Sequence, residues 1–243
     1  MRHLFTEMGG HSGKDSIMPL MYACISELRL HVVTPLCEGG DLLKHVRDGY
    51  GLEERTVRKW FRQVLLGLAY IHSKGICHHD LSPENIVITG NHNVAVVMDF
   101  GVAQRLRPGP GGDYVPMRDE RVLGKLRYMA PEVFKGQEYD GRQADIWSVA
   151  VTLLLCFTGK YAWGAPTSLP GFARAVKWSD MYNYMHFRRY GAMWILQRLC
   201  GRRQLSQEAE KLVCMMLVVD RNHRPVSAEA LARHVFLLNP REW

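Results

Sequence analysis

Residues 78–85 read HHDLSPEN, fourteen residues after Asn85 comes Asp99-Phe100-Gly101, and further on stands Ala130-Pro131-Glu132. Transfer of a phosphoryl group asks for a carboxylate to orient the attacking hydroxyl, and for a carboxylate and an amide to hold magnesium against the phosphates. Asp80, Asp99 and Asn85 have the residue types for those tasks. Singly the motifs are weak, because an Asp-Phe-Gly tripeptide is more often a turn after a strand. Their order and spacing carry the information.

The surrounding pattern gives the motifs a scaffold. Residues 18–24 and 30–36 are short and rich in apolar and β-branched side chains, so they read as two paired strands that end at Gly39-Gly40. From Val57 the apolar residues Trp60, Phe61, Val64, Leu65, Leu68 and Ile71 recur every three or four positions and predict an amphipathic helix ending near Gly75. Residues 86–88 and 94–98 read as short strands, and the proline- and glycine-rich stretch 105–124 as an exposed loop. Residues 144–157 are nearly all apolar and predict a buried helix, while Ser206 and Ser227 are candidate N-caps of two amphipathic segments. No repeat or interdomain linker is visible.

Composition sets the outer limits. The chain has 243 residues, 47% of them hydrophobic, enough for a substantial core. A net charge of +7 is compatible with nucleotide phosphates, RNA or acidic peptides, and bears on association rather than fold. The six cysteines form no CxxC pair, which disfavours a zinc ribbon and suggests reduced thiols. The longest apolar stretch, residues 149–157, is far shorter than the ~20 residues of a membrane span. The expectation is a soluble cytoplasmic protein.

The run of catalytic loop, two short strands, Asp-Phe-Gly, Gly/Pro loop, Ala-Pro-Glu and apolar helix resembles the protein kinase family, over about residues 18–237. The resemblance implies an α+β bilobal fold: residues 1–39 as a remnant of a β-rich amino-terminal lobe with the hinge, and 40–243 as a mostly helical carboxyl-terminal catalytic lobe. It implies ATP and Mg2+ as cofactors, a protein substrate, and no nucleic acid partner. HHDLSPEN looks more like the serine/threonine branch than the tyrosine branch. Asp80 would position the acceptor hydroxyl, Asn85 and Asp99 would bind magnesium, and His78, Phe100 and Asp145 would brace the site. Thr34 would guard the back of the adenine pocket, with the Pro35 carbonyl and Cys37 amide at the adenine edge, Val87 also lining the nucleotide site, and Asp41 and Glu84 near the ribose. Arg224 and Glu132 would form a buried ion pair.

Departures from the family pattern matter as much. No glycine-rich loop and no Val-Ala-Ile-Lys-like segment precede the first strand; residues 1–11 resemble the last turns of a helix, and Glu7 sits too close to the following strand to replace its glutamate. The chain therefore reads as an incomplete kinase domain that is a poor catalyst alone. His79 stands where an arginine is usual, and residues 99–132 contain no serine or threonine, which argues against activation by Ser/Thr phosphorylation there; Tyr114 and the charges of Asp119-Glu120 remain. Ser82 stands where the family has a lysine that touches the transferred phosphate, and Lys125 where a threonine is usual. The expectation is that Lys125 reaches toward Asp80 and restores the charge; a solvated surface lysine is the plain alternative.

A rival reading is a non-catalytic pseudokinase or binding module that works through residues 159–205, where Trp163, Trp178 and Trp194 stand among tyrosines and arginines. Ordinary core packing explains the same residues.

Overall fold

The computed structural model describes residues 13–46, 49–90, 94–110, 114–118, 124–163, 191–201 and 204–238. It contains helices and small antiparallel sheets, the α+β arrangement expected. Among the described residues no helix is long and apolar enough to cross a membrane.

Strands β1 (Tyr22–Ser26) and β2 (Arg29–Val33) form an antiparallel ribbon with Tyr22 opposite Val33. Both strands are shorter than their apolar patterns suggest, and proline marks each limit. Pro19 separates β1 from Met18, whose N–H instead bonds to the Val97 carbonyl at 2.9 Å. Pro35 follows β2 closely, and the chain then turns through Gly39, whose N–H bonds to Ile88 O at 3.1 Å.

Helix α1 (Glu54–Ser73) buries the apolar positions that predicted it: Val57, Phe61, Val64, Leu68 and Ile71 are fully enclosed. Each such side chain contributes roughly 1.5–3 kcal/mol relative to exposure. The segment before the ribbon packs on this helix rather than on the ribbon. A Cβ on Gly13 would lie 1.8 Å from the Leu66 carbonyl, so only glycine permits that approach, and Ile17 joins the main core.

After α1, the short strands β3 (Ile76–Cys77), β4 (Ile86–Ile88), β5 (Ala95–Val97) and β6 (Gln104–Arg105) pair as β3 with β6 and β4 with β5. These pairings hold the two ends of the 78–85 loop. The stretch expected as an exposed loop therefore begins as a strand at Arg105, and residues 111–113 and 119–123 within it, including Asp119 and Glu120, lie outside the described residues.

Four-residue α2 (Pro131–Phe134) precedes α3 (Gly141–Thr158). The latter is buried on all sides, as its unbroken apolar run requires. Asp140 caps its start by accepting from Arg142 N, and Gly159, at φ +66°, ends it. Helices α4 (Gly191–Cys200), α5 (Gln207–Met216), α6 (Ala228–Ala232) and α7 (Val235–Leu238) complete the core. Ser206 and Ser227 are N-caps, accepting from Ala209 N and Ala230 N. Trp163 is buried and stacks on Trp147 at 6.0 Å, which is core packing; Trp178 lies outside the described residues.

Candidate active site

Asp145, in the first turns of α3, organises the 78–85 loop. Its fully buried carboxylate accepts from His78 N and His79 N, each at 2.8 Å, and from His72 Nε2 at 2.9 Å. Burial pushes this carboxyl up, but the His72 hydrogen bond and the electrostatic pull of the neighbouring imidazoles more than offset it, and its pKa ends below the ordinary value. The two backbone bonds hold His79 at φ +65°, a left-handed conformation that costs a non-glycine residue roughly 1–2 kcal/mol.

His78 is enclosed between the motifs. Its Nδ1 accepts from Asp80 N at 3.2 Å, so the proton sits on Nε2, which donates to Met98 O at 2.9 Å. Burial drives its pKa down, against the pull of Asp145, Asp80 and Asp99, so the ring is neutral near neutral pH. Phe100 packs against it with ring centroids 4.9 Å apart.

The loop then presents Asp80 and Asn85. Asp80 keeps 16% of its side chain exposed. Its Oδ1 accepts from Lys125 N at 2.8 Å and its Oδ2 from Asn85 Nδ2, also at 2.8 Å. Asn85 spends its amide nitrogen on Asp80, with a second bond to Asp80 O at 2.7 Å, which leaves Oδ1 as its remaining polar side-chain atom. Met98 N donates to Asn85 O at 2.9 Å, so Asp99 follows directly on a strand end tied to Asn85. Asp99 is exposed, sits at φ +64° and accepts from Gly101 N at 3.2 Å. An amide oxygen and an open carboxylate on adjoining backbone are hard oxygen donors of the kind magnesium takes alongside phosphate oxygens.

Lys125 closes the other side. Its Nζ lies 2.7 Å from Ser82 Oγ, 3.6 Å from Asp80 Oδ2 and 4.0 Å from Glu84 Oε2. The preceding Gly124 is at φ +80°, and a Cβ there would sit 2.3 Å from the His79 carbonyl.

The remaining candidates are spread along the edge of β4. Val87 is buried with Met18 and Val96, and the half-buried Cys37 packs against that cluster, its thiol pKa raised by burial. Asp41 forms a β-bridge with Val87 and caps Lys44 N at 3.0 Å. The 3-10 turn Leu42–His45 packs on the turn Pro83–Asn85, which brings Asp41 and Glu84 into one neighbourhood. Thr34 and Pro35 stand exposed beyond β2 and join none of these clusters. His79, the expected departure, is packed: its ring meets Tyr139 edge-on at 5.8 Å and its Nε2 lies 3.0 Å from Cys77 Sγ.

Sequence reasoning missed His72 and Gly124. His72 was hidden on the buried face of α1, and Gly124 was one glycine among several. Its position directly before Lys125 was the one available signal.

Residues 6–237 match the protein kinase domain. Sperm motility kinase 2B of Mus musculus is 27% identical over 216 residues, 89% of this chain and 39% of that protein. Sperm motility kinase Z of the same species is 31% identical over 217 residues, 89% of this chain and 38% of the relative. Serine/threonine-protein kinase CHK1 of Mycosarcoma maydis is 35% identical over 159 residues, 64% of this chain and 22% of that protein. The chain thus spans well under half the length of these relatives. With the matched residues covering nearly all of the sequence, the chain belongs to the protein kinase domain family.

Proposed function

We propose that the chain carries the phosphotransfer centre of a protein serine/threonine kinase, moving the γ-phosphoryl group of ATP to a protein hydroxyl. The observation that carries this reading is Asp80. Its carboxylate is fixed at both oxygens by Lys125 N and Asn85 Nδ2, yet it remains partly exposed. A carboxylate so held can accept a hydrogen bond from an incoming hydroxyl without reorienting. Asn85 Oδ1 and the Asp99 carboxylate would hold magnesium, which supplies neutralisation of phosphate charge when bound.

Toward the nucleotide, the Pro35 carbonyl and Cys37 N–H would meet the adenine edge; the Cys37 carbonyl is already taken by Gly40 N at 3.0 Å. Thr34 would stand behind the base, Val87 would pack against it, and Asp41 and Glu84 would face the ribose. The nucleotide would then lie where the 1–39 and 40–243 portions meet. All six cysteines are free, which fits a reducing, cytoplasmic setting.

A thermal-shift titration with ATP and magnesium, with Asp99→Asn alongside, tests the site, because a ligand that binds the folded state raises the melting temperature. Labelled phosphate should also appear on serine and threonine of a peptide mixture. A melting temperature indifferent to MgATP, or a shift that survives in Asp99→Asn, would refute the assignment.

A further inference from the structure

We propose that Lys125 is a catalytic residue, delivering to the transferred phosphoryl group, from the segment that follows Gly124, a positive charge that the 78–85 loop itself lacks at Ser82. This inference rests on the phosphotransfer reading above.

The 78–85 loop contributes Asp80 and Glu84 to the site, and Asp99 adds a third carboxylate. A phosphoryl group in flight also carries negative charge, so a cation placed where that charge passes is worth more than one elsewhere on the surface. Among the described residues, Lys125 is the cation ion-paired with Asp80, at 3.6 Å. Ser82 is completely buried, and its hydroxyl accepts from the ammonium at 2.7 Å. The loop residue thus places the charge that it does not carry.

A solvated lysine would not show this geometry. Lys125 grips Asp80 at two points, through its backbone N–H at 2.8 Å and its ammonium at 3.6 Å. Gly124 allows that grip, since its backbone runs too close to the His79 carbonyl for any side chain. The lysine side chain keeps 38% of its surface exposed.

The chemistry balances without further reagents. The acceptor oxygen bonds to the γ-phosphorus as the bond to the bridging oxygen breaks, and ADP leaves with that electron pair. The hydroxyl proton passes to the Asp80 carboxylate, and the Lys125 ammonium keeps its own proton throughout.

The test compares the full chain with Lys125→Thr and with the exchange variant Ser82→Lys/Lys125→Thr, using MgATP and a serine/threonine peptide. The single variant should lose about a hundred-fold in kcat, the scale of removing one preorganised charge-stabilising donor, with KM for ATP moved less than about two-fold. The exchange variant should recover to within about ten-fold of the wild type, a rescue that a merely structural lysine would not give. Unchanged kcat in Lys125→Thr overturns the proposal, and so does an exchange variant that melts like the wild type yet is no faster than the single. If the wild type does not turn over, the phosphotransfer reading fails and the role of Lys125 with it. Wild-type turnover and Asp99-dependent nucleotide binding, together with an indifferent Lys125, overturn this proposal alone.

Discussion

Replacing Glu132 with alanine should be among the most damaging single changes in the carboxyl-terminal half of the chain. Glu132 is 4% exposed and Arg224 2%, and the two meet face to face, with Nη1 to Oε1 at 2.6 Å and Nη2 to Oε2 at 3.0 Å. Arg224 has further ties: Nε to Val218 O at 2.9 Å, Nη1 to Gln143 O at 3.0 Å, and the guanidinium 4.9 Å from the Trp147 ring. In Glu132→Ala those ties hold the guanidinium in place while its counter-charge is gone. Two charge-assisted bonds at about 1.5–3 kcal/mol each are lost. That agrees with the roughly 3–5 kcal/mol seen when one partner of a buried pair is removed.

For a chain of this length, the loss corresponds to a fall in melting temperature of about 6–20 °C. Urea unfolding gives the free energy directly if the slope is unchanged. The double variant Glu132→Leu/Arg224→Met should recover most of the loss, because no orphaned charge remains. A Glu132→Ala protein within about 1 kcal/mol of the wild type would refute the reasoning, as would a double variant worse than either single change.

Gly124→Ala should slow turnover and lower the melting temperature together, because the new Cβ would sit 2.3 Å from the His79 carbonyl at a φ of +80°; kinetics and melting of one preparation check this, and unchanged values would refute it. The His78 pKa lies below its ordinary 6.5, so as pH falls below about 6.5 the unfolded chain takes up a proton that the folded chain refuses. Stability is then fully present above that pH and declines below it; melting temperatures between pH 7.5 and 5.5 should show a shallower acid-side fall in His78→Phe.

Much of the fold was legible because it rests on local pattern. The spacing of Val57, Trp60, Phe61, Val64 and Leu68 marks one helix face, and those residues are the buried face of α1. The apolar run of α3 and the caps at Ser206 and Ser227 are equally local. The ribbon ends were misjudged where prolines outweigh apolar composition, at Pro19 and Pro35. The closeness of Asp80 and Asn85 was legible because both lie in one short loop. The contact of His72 with Asp145 spans 73 positions, and nothing in residue order records it. Gly124 escaped for a related reason: its conformation is demanded by a carbonyl 45 positions earlier.

His79 and Ser82 both meet the Gly124-Lys125 dipeptide. A charged side chain at position 79 would call for an anion to face it, and residues 99–132 have no serine or threonine to carry a phosphate. His79 instead turns its ring onto Tyr139, and its backbone N–H is held by Asp145. The carbonyl of the same residue marks where the chain passes at Gly124, since only a glycine there can approach it so closely. With Gly124 in place, Lys125 N reaches Asp80 at 2.8 Å and its ammonium reaches Ser82 at 2.7 Å. The contacts of the Gly124-Lys125 dipeptide with His79, Asp80 and Ser82 thus tie the start of the stretch leading into α2 to the 78–85 loop.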